Sequence, residues 1–415
     1  MREFHEIGAW RSQLCSQHKI ISVQSLPDPT FEMEGRRFVS FSTNNYLSLM
    51  TSPRMIRAAQ EGLTRFGVGN CESRLLGGDL EIYREVEDRL SKLKKKECSL
   101  LFATGYLTNI GVLGSLPRTA SLCRAYGFRP SRKYKYAYFS DEFNHMSIRE
   151  GIRVSEADKY CYRHLDLNHL ESQLKKSEHE VKIIVTDGVF SQDGDIAPLP
   201  ELIELAERYD AFVYVDDAHG SGVLGANGGG ISEHFGCYSP RLIHMGTLSK
   251  AYGSIGGFIA TESYIGEVLR VTCSAYGFTS TLPVDQAYAV REALDMVVEE
   301  PERRRRLWEN QAYFAKKIQE LGYRVTSTQT PIIPVLLGSE ERCDAFTTAL
   351  HQHGYHVDPV KFPAVPRGKA RLRFIMNANH TREQIDGLLE VLAELSKDGG
   401  AEGQSQATEL SAIEN

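Results

Sequence analysis

Apolar positions recur at helical spacing in four stretches, Pro53 to Arg65, Glu81 to Lys96, Pro200 to Tyr209 and Pro283 to Gly322. Short β-branched or aromatic runs stand between them. Three of these, Ile183–Thr186, Phe212–Val215 and Leu242–Met245, are largely apolar and give way at once to polar residues or glycine. Strands that read apolar on both faces belong to parallel sheets covered by helices, so the alternation predicts an α/β architecture with a largely parallel sheet. Ligands of such sheets collect beyond the carboxyl ends of the strands. That directs attention to Asp187, Asp216 and Thr247.

After the helical pattern through Arg303 to Leu321, a second set of strand-like runs follows at Tyr323–Val325, Ile332–Leu337 and Ala370–Ile375. These predict a smaller C-terminal α+β domain. The expected division is an N-terminal segment over 1–50, a large domain over 51–290, the C-terminal domain over 291–396, and a tail over 397–415. The tail is rich in Gly, Ser, Gln, Ala and Glu, with little to bury, and is expected to be disordered. No internal repeat is present.

Composition narrows the function. With 415 residues, 41% hydrophobic and 25% charged, the chain is an ordinary globular one, and a net charge of −6 supplies no basic field for nucleic acid. No apolar run approaches a membrane span. The first twenty residues interleave charge with apolar positions and form no signal-like core, so a cytoplasmic protein is expected. The eight cysteines show neither a C-x-x-C pair nor zinc spacing and read as free thiols. His351, His353 and His356 read as a solvated helix end, and no metal is expected.

Four segments carry chemistry. In Thr247-Leu248-Ser249-Lys250, a lysine follows a strand among small hydroxyl residues and precedes Gly253, Gly256 and Gly257, which let backbone approach a ligand. An amine there can form an imine with an aldehyde cofactor. In Asp216-Asp217-Ala218-His219, a carboxylate at a strand end can hold a proton on a pyridine nitrogen. Asp216 is the candidate, Asp217 reads as structural, and His219 is placed to reach a cofactor oxygen. Thr104-Gly105-Tyr106 opens a helical pattern that begins near Leu107, where free N–H groups make a phosphate site. Asn144-His145 offers an imidazole that can stack on a planar ring.

Together these motifs resemble the α-oxoamine synthase family of fold-type I enzymes dependent on pyridoxal 5'-phosphate (PLP). The likeness runs from about Phe41 to Leu395 and takes in Ser42-Thr43-Asn44-Asn45-Tyr46-Leu47, Ser73-Arg74, Asn144-His145-Met146-Ser147-Ile148, Asp187 through Asp195, and Pro363 through Arg373. It implies the aspartate aminotransferase-like fold. It also implies Lys250 as Schiff-base lysine and proton shuttle, His145 stacked on the ring, Asp216 on the ring nitrogen and His219 on the phenolic oxygen. Thr104, Gly105, Tyr106 and Thr247 would hold the phosphate, with Ser191 and Asn44 close to cofactor and substrate. Arg373 would bind the amino acid carboxylate. Thr279 and Ser280 would reach the phosphate of the neighbouring subunit in a homodimer.

The implied reaction joins an amino acid to an acyl thioester of CoA or acyl carrier protein, usually with loss of CO2, to give an α-amino ketone. Two positions depart from the family pattern: Leu116–Tyr138 is a longer basic and aromatic segment, read either as a solvated surface insertion or as a contact for CoA phosphates or an acyl carrier protein, and Tyr83 stands where histidine is common. An aminotransferase or lyase would use the same lysine and aspartate, and a non-catalytic regulatory subunit is the reading from a different class.

Overall fold

The computed structural model describes residues 2–14 and 22–398. A seven-stranded sheet forms the centre. Its strands are β3 to β9, numbered after the N-terminal hairpin of β1 (Thr30–Met33) and β2 (Arg36–Ser40): β3 Cys98–Phe102, β4 Tyr136–Asp141, β5 Asp158–Tyr162, β6 Val181–Asp187, β7 Ala211–Asp216, β8 Leu242–Thr247 and β9 Gly257–Thr261. Their order is β3-β9-β8-β7-β6-β4-β5. From β8 to β5 every pairing is parallel, while β9 runs antiparallel to both neighbours. The three apolar runs Ile183–Thr186, Phe212–Val215 and Leu242–Met245 are all strands of this sheet, each lengthened by two or three residues. The central strands are buried along most of their length, and at their carboxyl ends completely, because helices cover both faces.

The stretch Pro283–Gly322 is two helices, Val284–Glu299 and Pro301–Glu320. Proline disfavours helical backbone at the residue before it and suits the first turn of a new helix, so Glu300-Pro301 ends one and starts the next. Strands β10 (Ile332–Gly338), β12 (Asp358–Val360) and β13 (Ala370–Ile375) form an antiparallel sheet in the order β10-β13-β12. The run Tyr323–Val325 is no strand. It makes a single bridge, Val325 to Val335.

The segment around β2 does not stand apart. Strand β11 (Tyr355–His356) pairs parallel with β2, and Ile375 N–H donates to Phe41 O. Residues 41–48 thus run as a strap along the C-terminal sheet. The basic segment after Leu116 folds as short helical turns over Leu116–Tyr126, none of whose residues is buried. His351 and His356 are also less solvated than expected, with rings packed on Phe38 and Phe31 and their nitrogens 3.0 Å apart. The helix Arg382–Asp398 enters the expected tail; residues 399–415 and Cys15 lie outside the described residues. The seven described cysteines are free.

Candidate active site

Four strand ends converge on one edge of the sheet. Asp141 closes β4, Asp187 closes β6, Asp216 closes β7 and Thr247 closes β8, with Asp187 in register with Asp216. Over them opens a cavity of about 240 Å³. It collects Thr104, Gly105, Tyr106, His145, Ser191, Asp216, His219, Thr247 and Lys250. These nine expected residues come from five separate segments, so the sheet order alone gathers them.

The helix Gly105–Ser115 starts at this edge, two residues earlier than the pattern predicted. Thr104 caps it, accepting from Leu107 N–H at 3.1 Å. The first N–H groups of a helix have no acceptor inside it, so those of Gly105 and Tyr106 remain available to an anion. Glycine is needed at 105, because a Cβ there would meet Thr247 Oγ1 at 2.9 Å. The hydroxyls of Thr247 and Ser249 lie 2.8 Å apart beside it.

Asp216 is fixed from below. Asn109 Nδ2 donates to its Oδ2 at 2.7 Å and Ala218 N–H to its Oδ1 at 3.1 Å. Asn109 is itself held by Tyr214 hydroxyl at 2.7 Å and by Ser147 at 2.9 Å. Asp217, the next residue, points to the opposite side and pairs with Lys94 at 2.7 Å, both side chains fully buried. Its reading as structural matches that geometry. His145 caps the helix Met146–Ser155, its N–H donating to Asp187 Oδ2 at 3.1 Å, and its ring lines the cavity.

Lys250 Nζ lies 2.7 Å from His219 Nε2, and His219 Nδ1 lies 2.7 Å from Tyr46 hydroxyl. With Lys250 charged, Nε2 accepts and Nδ1–H donates to the tyrosine oxygen. Burial, aided by the charge of Lys250, holds His219 well below the usual histidine range. Burial lowers Lys250 itself from 10.5 to about 8, against the opposing pull of Asp216 and Asp187. Burial and then the charge of Asp216 push Asp187 well above the usual carboxylate range.

Arg373, on β13, does not line this cavity, but its positive charge is felt at Lys250, His219 and Tyr46. Its Nη1 donates to Ser191 O at 3.3 Å and its buried Nε has no partner. Asn44, on the strap, likewise keeps a buried Oδ1 without a partner. Buried polar atoms left open in this way suit a ligand. Thr279 and Ser280 are not brought to this cavity. They lie at the surface, where Ser280 bridges to Ser73. Tyr83 fills the place noted for it by donating to Leu282 O at 2.7 Å.

A phosphate-binding helix start, a buried carboxylate for a ring nitrogen and an amine of lowered pKa together fit PLP. Comparison with known proteins agrees. The aminotransferase class I and II family model matches residues 36–392. The 8-amino-7-oxononanoate synthase 1 of Bacillus velezensis is 41% identical over 91% of this chain and 93% of its own, and that of Bacillus subtilis is 39% identical over 96% and 98%. The chain belongs to the α-oxoamine synthase family. Among solved structures of that family, Sphingomonas wittichii serine palmitoyltransferase superposes with a TM-score of 0.87 at 28% identity, covering 96% of this chain and 98% of that one. The 8-amino-7-oxononanoate synthase of Francisella tularensis superposes with 0.73 at 25% identity, over 88% and 98%. As an α-oxoamine synthase, the chain has the fold-type I architecture and is a PLP-dependent C-acyltransferase that condenses an amino acid with an acyl thioester. Among its described residues no helix is long and apolar enough to cross a membrane.

Sequence reasoning missed Asn109, Tyr46 and Lys94. Asn109 had a signal, a carboxamide inside the apolar helix Gly105–Ser115. Lys94 had none, being one of several lysines at a helix end.

Proposed function

We propose that this enzyme joins alanine to a seven-carbon dicarboxylic acyl thioester. The observation that carries this is the near full-length likeness to 8-amino-7-oxononanoate synthases at about 40% identity. The product they are named for has its amine on the carbon next to a ketone. Cutting the bond between those carbons leaves a two-carbon amine, which is alanine without its carboxylate, and a seven-carbon acyl group ending in a second carboxylate.

A cavity of about 600 Å³ supports the donor's place. It shares His145 and Ser191 with the smaller cavity, has Phe143, Phe190, Leu336 and Val365 among its walls, and carries Arg149, Arg324 and Lys369. Apolar walls suit a methylene chain, and the cations suit a carboxylate or the phosphates of a carrier.

The remaining roles follow from chemistry at stated atoms. Gly105 and Tyr106 N–H with Thr247 and Ser249 hydroxyls bind the phosphate, with Thr104 shaping the turn, while Asp216, held by Asn109, keeps a proton on the ring nitrogen. When bound, PLP supplies an electrophilic aldehyde and an electron sink. His145 covers the ring and His219 faces the phenolic oxygen. Lys250 takes a proton from the amino acid's α-carbon and returns one there; a pKa of about 8 lets it do both near neutral pH. Arg373 and Asn44 orient the amino acid carboxylate. Thr279 and Ser280, at the surface, complete the phosphate site of a second copy in a homodimer.

The test is a turnover assay with PLP, alanine and heptanedioyl-CoA, following free thiol, CO2 and the mass of the amino ketone. Thiol and CO2 released one for one, only with both substrates, are expected. Keto acid without thiol release would replace the reading by transamination. The close superposition on serine palmitoyltransferases makes serine with a long-chain acyl-CoA the second pair to assay.

A further inference from the structure

Behind the wall shared by the two cavities lies a side chain that the chemistry above leaves unused. His164 follows β5, and its imidazole is inserted between two loops. One, Glu142–His145, leaves β4 and carries His145. The other, Gly188–Asp195, leaves β6 and carries Ser191. Nδ1 lies 3.1 Å from Asp141 Oδ1 at the root of the first loop, and Nε2 lies 3.4 Å from Asp195 Oδ2 in the second. The ring stacks on Phe143, with centroids 4.5 Å apart, and meets Phe190 edge-on at 4.4 Å. One aromatic comes from each loop, and both line the larger cavity.

The turn that presents His164 is tied to the same groups. Leu165, in the left-handed region at φ 55°, donates its N–H to Asp141 Oδ2 at 2.9 Å, and His164 N–H donates to Glu142 Oε1 at 2.8 Å. Such backbone in a non-glycine residue persists only where its surroundings hold it. The groups facing the imidazole are thus Asp141, Glu142 and Asp195, all acidic. The neighbouring cations are directed elsewhere, Arg149 to Glu142 O and Arg163 to Asp166. A neutral imidazole has one N–H and could donate to only one of the two carboxylates; an imidazolium donates to both. Burial opposes the charge, but hydrogen bonds to Asp141 and Asp195 outweigh it and raise the pKa to about 9.

We propose that His164 is a positioning residue for acyl transfer: as an imidazolium it ties the His145 loop to the Ser191 loop and holds the aromatic wall against which the acyl thioester lies. This rests on the reading of the larger cavity as the donor's. The folded pKa is raised, so the tie persists through neutral pH and is lost as pH climbs through about 9, while the stability it contributes is full only below the ordinary histidine value.

The experiment uses the PLP-loaded enzyme and its His164→Gln and Asp195→Asn variants. Cofactor absorbance and alanine affinity, read as a spectral shift, are expected to stay within about twofold of wild type, while the KM for heptanedioyl-CoA rises about tenfold, less than the about 100-fold cost of misplacing reacting groups by 1 Å. Wild-type donor KM should climb between pH 8 and 10, and that of His164→Gln should be flat. In protein with 13C-labelled histidine, the resonance absent from His164→Gln should titrate near pH 9 in wild type and lower in Asp195→Asn. An unchanged donor KM, a fall in alanine affinity in step with donor affinity, or a resonance titrating near 6.5 would each overturn the proposal. Should the wild type turn over no thioester, the donor reading fails, and the resonance still decides whether His164 is the cation that ties the loops.

Discussion

An ordinary lysine of pKa 10.5 is about 0.03% free amine at pH 7, whereas Lys250 at about 8 is about 9% free, a gain of about 300-fold in the reactive form. The perturbation that exposes this is pH, applied to cofactor-free protein mixed rapidly with PLP. If the amine is the reacting species, its capture rate should rise about tenfold from pH 6 to 7, bend near 8, and gain less than twofold above 9. Borohydride trapping and mass spectrometry would assign the adduct to Lys250. A second arm checks the cause: Arg373 lowers the Lys250 pKa, so Arg373→Met should move the bend to higher pH. A rate still climbing tenfold per unit between pH 8.5 and 9.5, or a bend that does not move in Arg373→Met, would refute the argument that burial and local charge set this amine.

Two further outcomes follow from buried charge. Lys94→Met should cost about 3–5 kcal/mol in urea unfolding, since it leaves the Asp217 carboxylate buried without its cation. Burial already raises the Asp217 pKa while Lys94 opposes it, and a raised folded pKa gives stability present below the unfolded value and lost as pH rises. The deficit should therefore shrink toward acid and grow toward pH 8; a deficit under about 1 kcal/mol would refute the pairing, being no more than a surface pair contributes. In PLP-loaded protein, Arg373→Met should weaken alanine binding about 10- to 100-fold, the value of a charged hydrogen bond, and Arg373→Lys should not restore it. Equal alanine affinity in the spectral titration would remove Arg373 from the carboxylate site.

Much of the arrangement was legible because chemistry sits where local patterns end. Asp216 and Thr247 follow an apolar run by one or two residues and Lys250 comes three residues after Thr247, so a reader who finds the strands finds them. Residues that act through other residues left weaker marks. Asn109 and Lys94 gain meaning only when Asp216 and Asp217 point to opposite sides of β7, and His164 only when β4, β5 and β6 bring Asp141 and Asp195 to its two nitrogens. Propensity misled at Tyr323–Val325, where three suitable residues found one bridging partner, and through Glu300-Pro301, where helical periodicity runs on past a backbone break. Thr279 and Ser280 show a different limit, since a role across a subunit interface leaves no cavity within one chain.

The order β3-β9-β8-β7-β6-β4-β5 has a consequence for how the protein matures. The phosphate cradle joins Gly105, after β3, to Thr247, at the end of β8, across 141 residues of intervening chain. Contacts of such sequence separation form late, because loop closure must precede any gain from them. A cofactor that recognises only the finished cradle binds the native state and no earlier one, so its binding energy adds to native stability by mass action. Vitamin supply would then set how much of the newly made chain survives, as well as how fast it works.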